Sequence, residues 1–216
     1  MSEGSMSVSD ITLSAGSLAA RRFRSPPPVA LERGLTSAQW GMLSFLASEA
    51  SLFSTLIVVY RVYLGAEQDG PTPAVLSLPL VVGTTCCLLA SSVTVHFAVK
   101  SLSSGERSAF VRWWSATILL GIIFLAGTAW EWRELVVVYG LTPGRNLFGS
   151  TYYTLVGFHA LHVTAGVVVM LTVLGLALSR LVTSANRSGV ELISWYWHFV
   201  DVVWVVVFSV VYLAGR

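Results

Sequence analysis

The sequence predicts an all-α integral membrane protein, a bundle of five transmembrane helices, and three observations carry that reading. Apolar residues make up 55% of the 216 and charged residues only 11%, a balance outside the range of ordinary soluble domains. The apolar residues gather into five stretches, each long enough to supply the about 20 helical residues that cross ~30 Å of hydrocarbon. Short polar or Pro/Gly-containing separators stand between them. The continuous Val/Leu runs also lack the residue-by-residue alternation of a membrane β-barrel.

Residues 1–35 are a different material. They are Ser-rich, with Arg21, Arg22 and Arg24 followed by Pro26, Pro27 and Pro28, a composition that predicts a disordered or extended tail. No apolar segment follows those arginines at the spacing of an export signal, so none is read there. Residues 36–216 form the transmembrane domain, with spans expected at about 38–64, 74–99, 109–138, 147–180 and 190–214. The first separator holds Glu67, Asp69 and Gly70, the second runs Ser-rich from Lys100 to Gly105, the third contains Pro143-Gly144, and the fourth is polar from Thr183 to Gly189.

Orientation follows from the cations. The tail and the second and fourth loops share one side of the membrane and carry Arg21, Arg22, Arg24, Arg33, Lys100, Arg107, Arg112, Arg180 and Arg187. The other side carries Arg61, Arg133, Arg145 and Arg216. Cationic loops stay in the cytoplasm, so the N-terminus is expected inside and the C-terminus in the periplasm or outside. Trp40, Trp113, Trp114, Trp130 and Trp132 stand near span ends, where indole rings anchor at the lipid–water interface.

The near-even balance of 13 Lys plus Arg against 11 Asp plus Glu speaks against nucleic acid or an acidic substrate as a partner. Cys86 and Cys87 are adjacent and cannot bridge without severe strain; they read as small apolar residues.

The informative residues are those that are costly in lipid: Glu49 in the first span, His159 and His162 in the fourth, His198 and Asp201 in the fifth. An ionisable group at mid-bilayer must pair or face the bundle interior. At ~1.5 Å of rise per residue all five fall near one depth, and each i,i+3 pair shares a helix face. They are therefore expected to form a single buried polar cluster. Interhelical hydrogen bonding, proton relay, metal ligation and axial ligation of a b-type haem by His159 and His198 all remain open for it. His96 and Glu131 lie near span ends and read as interfacial first, with a secondary site role. Gly157, Ala160, Ala165 and Gly166 permit close helix approach.

At these residues the chain resembles subunit III of the haem–copper terminal oxidases. The likeness is carried by Gly149-Ser-Thr-Tyr-Tyr153 with Gly157-Phe-His-Ala-Leu-His-Val163, and by Trp195-Tyr-Trp-His-Phe-Val-Asp-Val-Val-Trp204. Leu46-Ala-Ser-Glu-Ala50, Ser92-Val-Thr-Val95 and Ala129-Trp-Glu-Trp132 agree more weakly. It runs from about residue 38 to the C-terminus. The resemblance implies a non-catalytic subunit of a respiratory oxidase in the bacterial cytoplasmic (inner) membrane, with no haem or copper of its own. Haems and copper belong to partner subunits; this chain packs on subunit I, neighbours subunit II and a small subunit IV, supports oxygen reduction coupled to proton pumping, and binds phospholipid. Glu49 matches the family's intramembrane glutamate, His159, His162, His198 and Asp201 its helix-buried polar set, and Glu131 a recurrent acidic position. Two departures stand out. Longer members begin with two further helices that form a lipid-holding cleft, and Val59-Tyr-Arg-Val62 stands where a histidine is frequent. Cytochrome c and quinol oxidases, and a subunit III-like protein of nitric oxide reductases, share the pattern. A haem-b membrane anchor and a small transporter are the readings from other classes; the latter predicts an inverted repeat, and no internal symmetry is evident.

Overall fold

A computed structural model describes residues 34–66 and 70–214, so most of the expected tail, with Glu67, Asp69 and Arg216, lies outside the described residues. The contacts divide the chain into Met1–Thr36 and Ser37–Arg216, and the second unit holds all the helices described here. Those residues are helical or in turns and loops, with five helices long and apolar enough to cross a membrane. They are α1 (Ser37–Tyr63), α2 (Leu78–Ser103), α3 (Arg107–Val137), α4 (Leu147–Leu178) and α5 (Arg187–Phe208). The last continues as a π-helical stretch, Ser209–Leu213.

Several ends differ from the sequence expectation for local reasons. The chain before α2 spends Pro73–Val75 in a 3-10 turn, and the helix proper starts at Leu78 with proline in its first turn, where a missing N–H costs nothing. The Ser-rich separator after Lys100 is helical as far as Ser103. Ser101 and Ser103 donate to the carbonyls of Phe97 and Val99 at 2.9 Å, so these hydroxyls stay inside the helix they were expected to interrupt. The turn into α3 closes on Gly105, whose φ of +74° lies in the left-handed region that glycine enters without a Cβ penalty. At the end of α4 the same region is taken by Arg180, at φ +63°. The guanidinium of Arg107, at the start of α3, donates to the terminal carbonyls of Ala177 and Leu178, at the end of the helix where the i+4 backbone donors run out.

Four helices form a ring in which α2 packs on α3, α3 on α4, α4 on α5 and α5 back on α2. α1 lies outside that ring against α4 and α5. The centre is aromatic. Trp197 stands between Gly121 and Gly166, where a Cβ added to either would come within 3.0 Å of the indole, at 2.9 and 2.8 Å. Lipid tails offer no hydrophobic drive for helices to associate, so close packing and interhelical hydrogen bonds do that work. Each large buried indole accordingly donates across a helix boundary: Trp197 to Ser91 Oγ at 2.8 Å, Trp204 to Thr85 Oγ1 at 2.9 Å and Trp114 to the Met170 carbonyl at 2.9 Å. Trp114 is therefore a core residue and not an interfacial anchor, and Trp132 is only partly exposed, edge-on to Tyr153. Trp40, Trp113 and Trp130 do face outward. Of the four small residues expected to admit a neighbour, Gly166 does so most tightly, while Ala165 faces out. Cys86 is exposed and Cys87 partly so.

Candidate functional site

The ring with α1 outside it divides the intramembrane polar residues into separate stations. Glu49 reaches from α1 to His162 of α4, Oε2 to Nε2 at 2.9 Å, both side chains largely covered. The imidazole's other nitrogen, Nδ1, stands 2.6 Å from the Phe158 carbonyl one turn earlier. That oxygen can only accept, so Nδ1 carries the hydrogen. Phe53 packs edge-on against the ring at 5.1 Å, and Tyr196 of α5 donates to the His162 carbonyl at 2.9 Å.

A second station joins α2 to α5. Ser92 Oγ lies 2.9 Å from His198 Nδ1 and donates to Asp201 Oδ2. With its proton committed to the carboxylate, the serine oxygen is left to accept, so Nδ1 of His198 is the donor. Asp201 is buried and its Oδ1 has no hydrogen-bond partner. A third station closes the far end of the bundle. Glu131 of α3 accepts from Tyr152 of α4 at 3.1 Å and from Tyr212, beyond α5, at 2.7 Å, and the two phenol oxygens are themselves 3.1 Å apart.

His159 belongs to none of these. It is 1% exposed, both ring nitrogens lack hydrogen-bond partners, and its neighbours are Trp204 stacked at 4.7 Å with Phe124 and Phe53 edge-on.

The single cluster expected from Glu49, His159, His162, His198 and Asp201 is thus not what the fold builds. Residues at i,i+3 are offset by about 60° around a helix of 3.6 residues per turn. On α4, flanked by three helices, that offset turns His162 toward α1 and His159 into the ring. On α5 both His198 and Asp201 face α2, but they meet at Ser92 in place of each other. Glu131 is a correction of the other kind: expected at the interface, it is 2% exposed. His96 is exposed on α2. Sequence reasoning missed the hydroxyl partners Ser92, Tyr152 and Tyr212; the first two lie inside stretches that carry the resemblance, but a hydroxyl gives no signal of which helix it will face.

Among the described residues no three of His, Cys, Asp and Glu gather closely enough to hold a metal ion. What the stations do is tie helices. Each joins two or three of them by polar contacts within the apolar spans, where an unmade hydrogen bond is costly.

The comparisons with known proteins agree with this architecture. The family model described as cytochrome c oxidase subunit III matches residues 28–216. The chain is 35% identical to the cytochrome bo(3) ubiquinol oxidase subunit 3 of Pseudomonas aeruginosa, over 82% of this chain and 84% of that one. It is 36% identical to the cytochrome c oxidase subunit 3 of Corynebacterium diphtheriae, over 80% and 85%. Against the corresponding subunit of Synechocystis it is 37% identical, over 81% and 74%. A match that takes in all five spans and every polar station means that the chain belongs to the cytochrome c oxidase subunit III family.

Proposed function

We propose that this chain is the accessory, cofactor-free subunit of a respiratory haem–copper oxidase of the cytochrome c type in a bacterial inner membrane. It packs on the catalytic subunit I and supports oxygen reduction coupled to proton pumping, with subunit II and a small subunit IV in the same assembly. Its N-terminus lies in the cytoplasm.

The observation that carries this reading is the state of α1. Only Phe53 and Tyr60 of its residues are buried. On a stripe roughly 120–180° round the helix from Phe53 stand Gly41, Ser44, Ser48, Ser51 and Thr55, all exposed. The hydroxyls of Ser48, Ser51 and Thr55 bond back to carbonyls of their own helix, which leaves a smooth, small-residue surface suited to close approach of another transmembrane helix. A helix held by one face and prepared for contact on the other fits a subunit that is complete only beside its partner.

A tag on this chain should bring down a large haem-bearing subunit from detergent-solubilised membranes. Recovery of the chain alone, colourless and stable, overturns the proposal. The donor oxidised by the recovered complex, ferrocytochrome c or quinol, decides between the two oxidase types named among the relatives. Glu49→Gln in that complex is expected to alter the proton-coupled turnover or its durability; unchanged values for both would reduce Glu49 to a packing contact with His162.

A further inference from the structure

The end of the bundle that holds Glu131 gathers oxidisable rings as well as polar groups. Trp132 and Tyr153 are only partly covered and meet edge-on with ring centroids 5.3 Å apart. Tyr153 in turn lies 5.2 Å from Tyr152, and the phenol oxygen of Tyr152 is 3.1 Å from that of Tyr212. Four electron-rich side chains thus run in unbroken contact from the edge of the protein to two phenols with no exposed surface. Electron transfer between rings weakens steeply with separation, so neighbours in contact exchange an electron readily.

What distinguishes the inner end is a base. A phenol that loses an electron becomes a strong acid, and a cation left inside an apolar bundle is costly. Tyr153 donates to the Leu141 carbonyl at 2.9 Å, an oxygen that cannot take the proton away. Trp204, whose ring lies 6.4 Å beyond Tyr212, donates to Thr85 Oγ1 and is no better served. Tyr152 and Tyr212 differ, because both donate to one carboxylate oxygen, Glu131 Oε2, at 3.1 and 2.7 Å. Either phenol can release its proton there as it is oxidised. Since the acceptor is shared, an electron vacancy can pass between the two phenols with the carboxyl protonated before and after, and no charge is separated. Tyr212 lies in the π-helical stretch, where the Ala214 N–H bonds back to the Ser209 carbonyl, and local widening of that kind recurs at functional sites.

We propose that Tyr152, Tyr212 and Glu131 form a proton-coupled radical trap, filled from Trp132 at the edge of the protein. An oxygen-centred radical of the oxyl or peroxyl class takes one electron from Trp132 and becomes the corresponding anion. Trp132 is refilled through Tyr153 from Tyr152 or Tyr212, and the proton of the oxidised phenol passes to Glu131 Oε2. The product is a neutral tyrosyl radical beside a protonated carboxyl, held away from lipid chains. A one-electron donor such as ascorbate, acting at Trp132, reverses the sequence, and Glu131 returns the proton to the phenol. The source of such radicals rests on the oxidase reading above, since incomplete reduction of oxygen releases them; the trap itself rests on the geometry.

The test makes the oxidant with light. The tagged complex in mild detergent is illuminated with ruthenium tris-bipyridine and persulfate, frozen, and read by electron paramagnetic resonance. Radicals on any accompanying subunit contribute alike to every variant, so the differences between variants belong to this chain. The wild type should give a neutral tyrosyl signal that a Tyr152→Phe/Tyr212→Phe variant lacks. Glu131→Gln decides the mechanism: its amide oxygen can still accept both hydrogen bonds but cannot take a proton, so the signal should be lost although both phenols remain. Equal signals in wild type and Glu131→Gln overturn the trap, as does a signal that survives removal of both phenols. Should Glu131→Gln fail to fold, Trp132→Phe at the edge carries the comparison, and an undiminished signal there overturns the proposal equally. Absence of a haem-bearing partner bears on the oxidase reading and leaves the photochemical signal as the measure of this one.

Discussion

His159 and Glu131 show how differently two buried polar side chains can be treated within one bundle. The imidazole of His159 has given up hydrogen bonding altogether in exchange for stacking on Trp204 and edge contacts with Phe53 and Phe124. Replacing a polar group that makes no hydrogen bond by an apolar one of similar shape is neutral or stabilising. His159→Phe is therefore expected to leave the thermal unfolding midpoint of the complex unchanged or raise it; a fall of several degrees would show that a bound water or proton on the imidazole matters. Glu131 is the opposite case, since its Oε2 gathers the protons of both Tyr152 and Tyr212. Glu131→Ala leaves the two buried phenols only each other, so one O–H loses its acceptor at a cost of about 1–3 kcal/mol and the carboxylate's space is emptied, whereas Tyr212→Phe removes one donor and leaves Tyr152 to satisfy the carboxylate. Thermal denaturation should rank them with Glu131→Ala clearly the more damaging. A larger loss in Tyr212→Phe would mean that the phenol pair, and not the carboxylate, organises that end of the bundle.

Among the helices, α4 and α5 each pack on three others, and α4 makes room for the central indole. It touches α1, α3 and α5, and at Gly166 it gives up its side chain to make room for Trp197. A methyl group there would sit 2.8 Å from the indole. Overfilling a packed core costs about 1–3 kcal/mol, so Gly166→Ala should lower stability in detergent, and Trp197→Phe in the same chain should recover part of the loss. Purely additive effects of the two substitutions would show that the clash is absorbed elsewhere. α1 is held more lightly. Its ties to the ring include the Glu49–His162 pair, Phe45 stacked on Tyr196, the Phe53 and Tyr60 contacts and a bond from Arg61 to the Ala214 carbonyl at 3.4 Å.

For the molecule as a whole, the nine cations on one side against four on the other predict that Gly105 faces the cytoplasm and Gly70 the opposite side. In a chain with Cys86 and Cys87 replaced by Ala, Thr72→Cys beside Gly70 should react with a membrane-impermeant maleimide in intact cells, and Ser104→Cys beside Gly105 only after permeabilisation. The reverse pattern would invert the proposed orientation. Hydrophobic run length is a local property, and the five spans, with the aromatic and histidine stretches that carry the family likeness, were accordingly legible from residue order alone. So was the need to shelter Glu49, His162, His198 and Asp201, because the cost of an ionisable group in lipid does not depend on which neighbour relieves it. Partner choice depends on how helices are arranged around one another. Depth and i,i+3 spacing place residues along and around one helix; they do not say that α1 stands outside the ring, which is what separates Glu49 from Asp201, leaves His159 among aromatic rings and draws Glu131 in from the interface. Those outcomes belong to the tertiary structure, since close approach at Gly121 and Gly166 and the demand for a hydrogen bond at each buried indole fix which helix faces which.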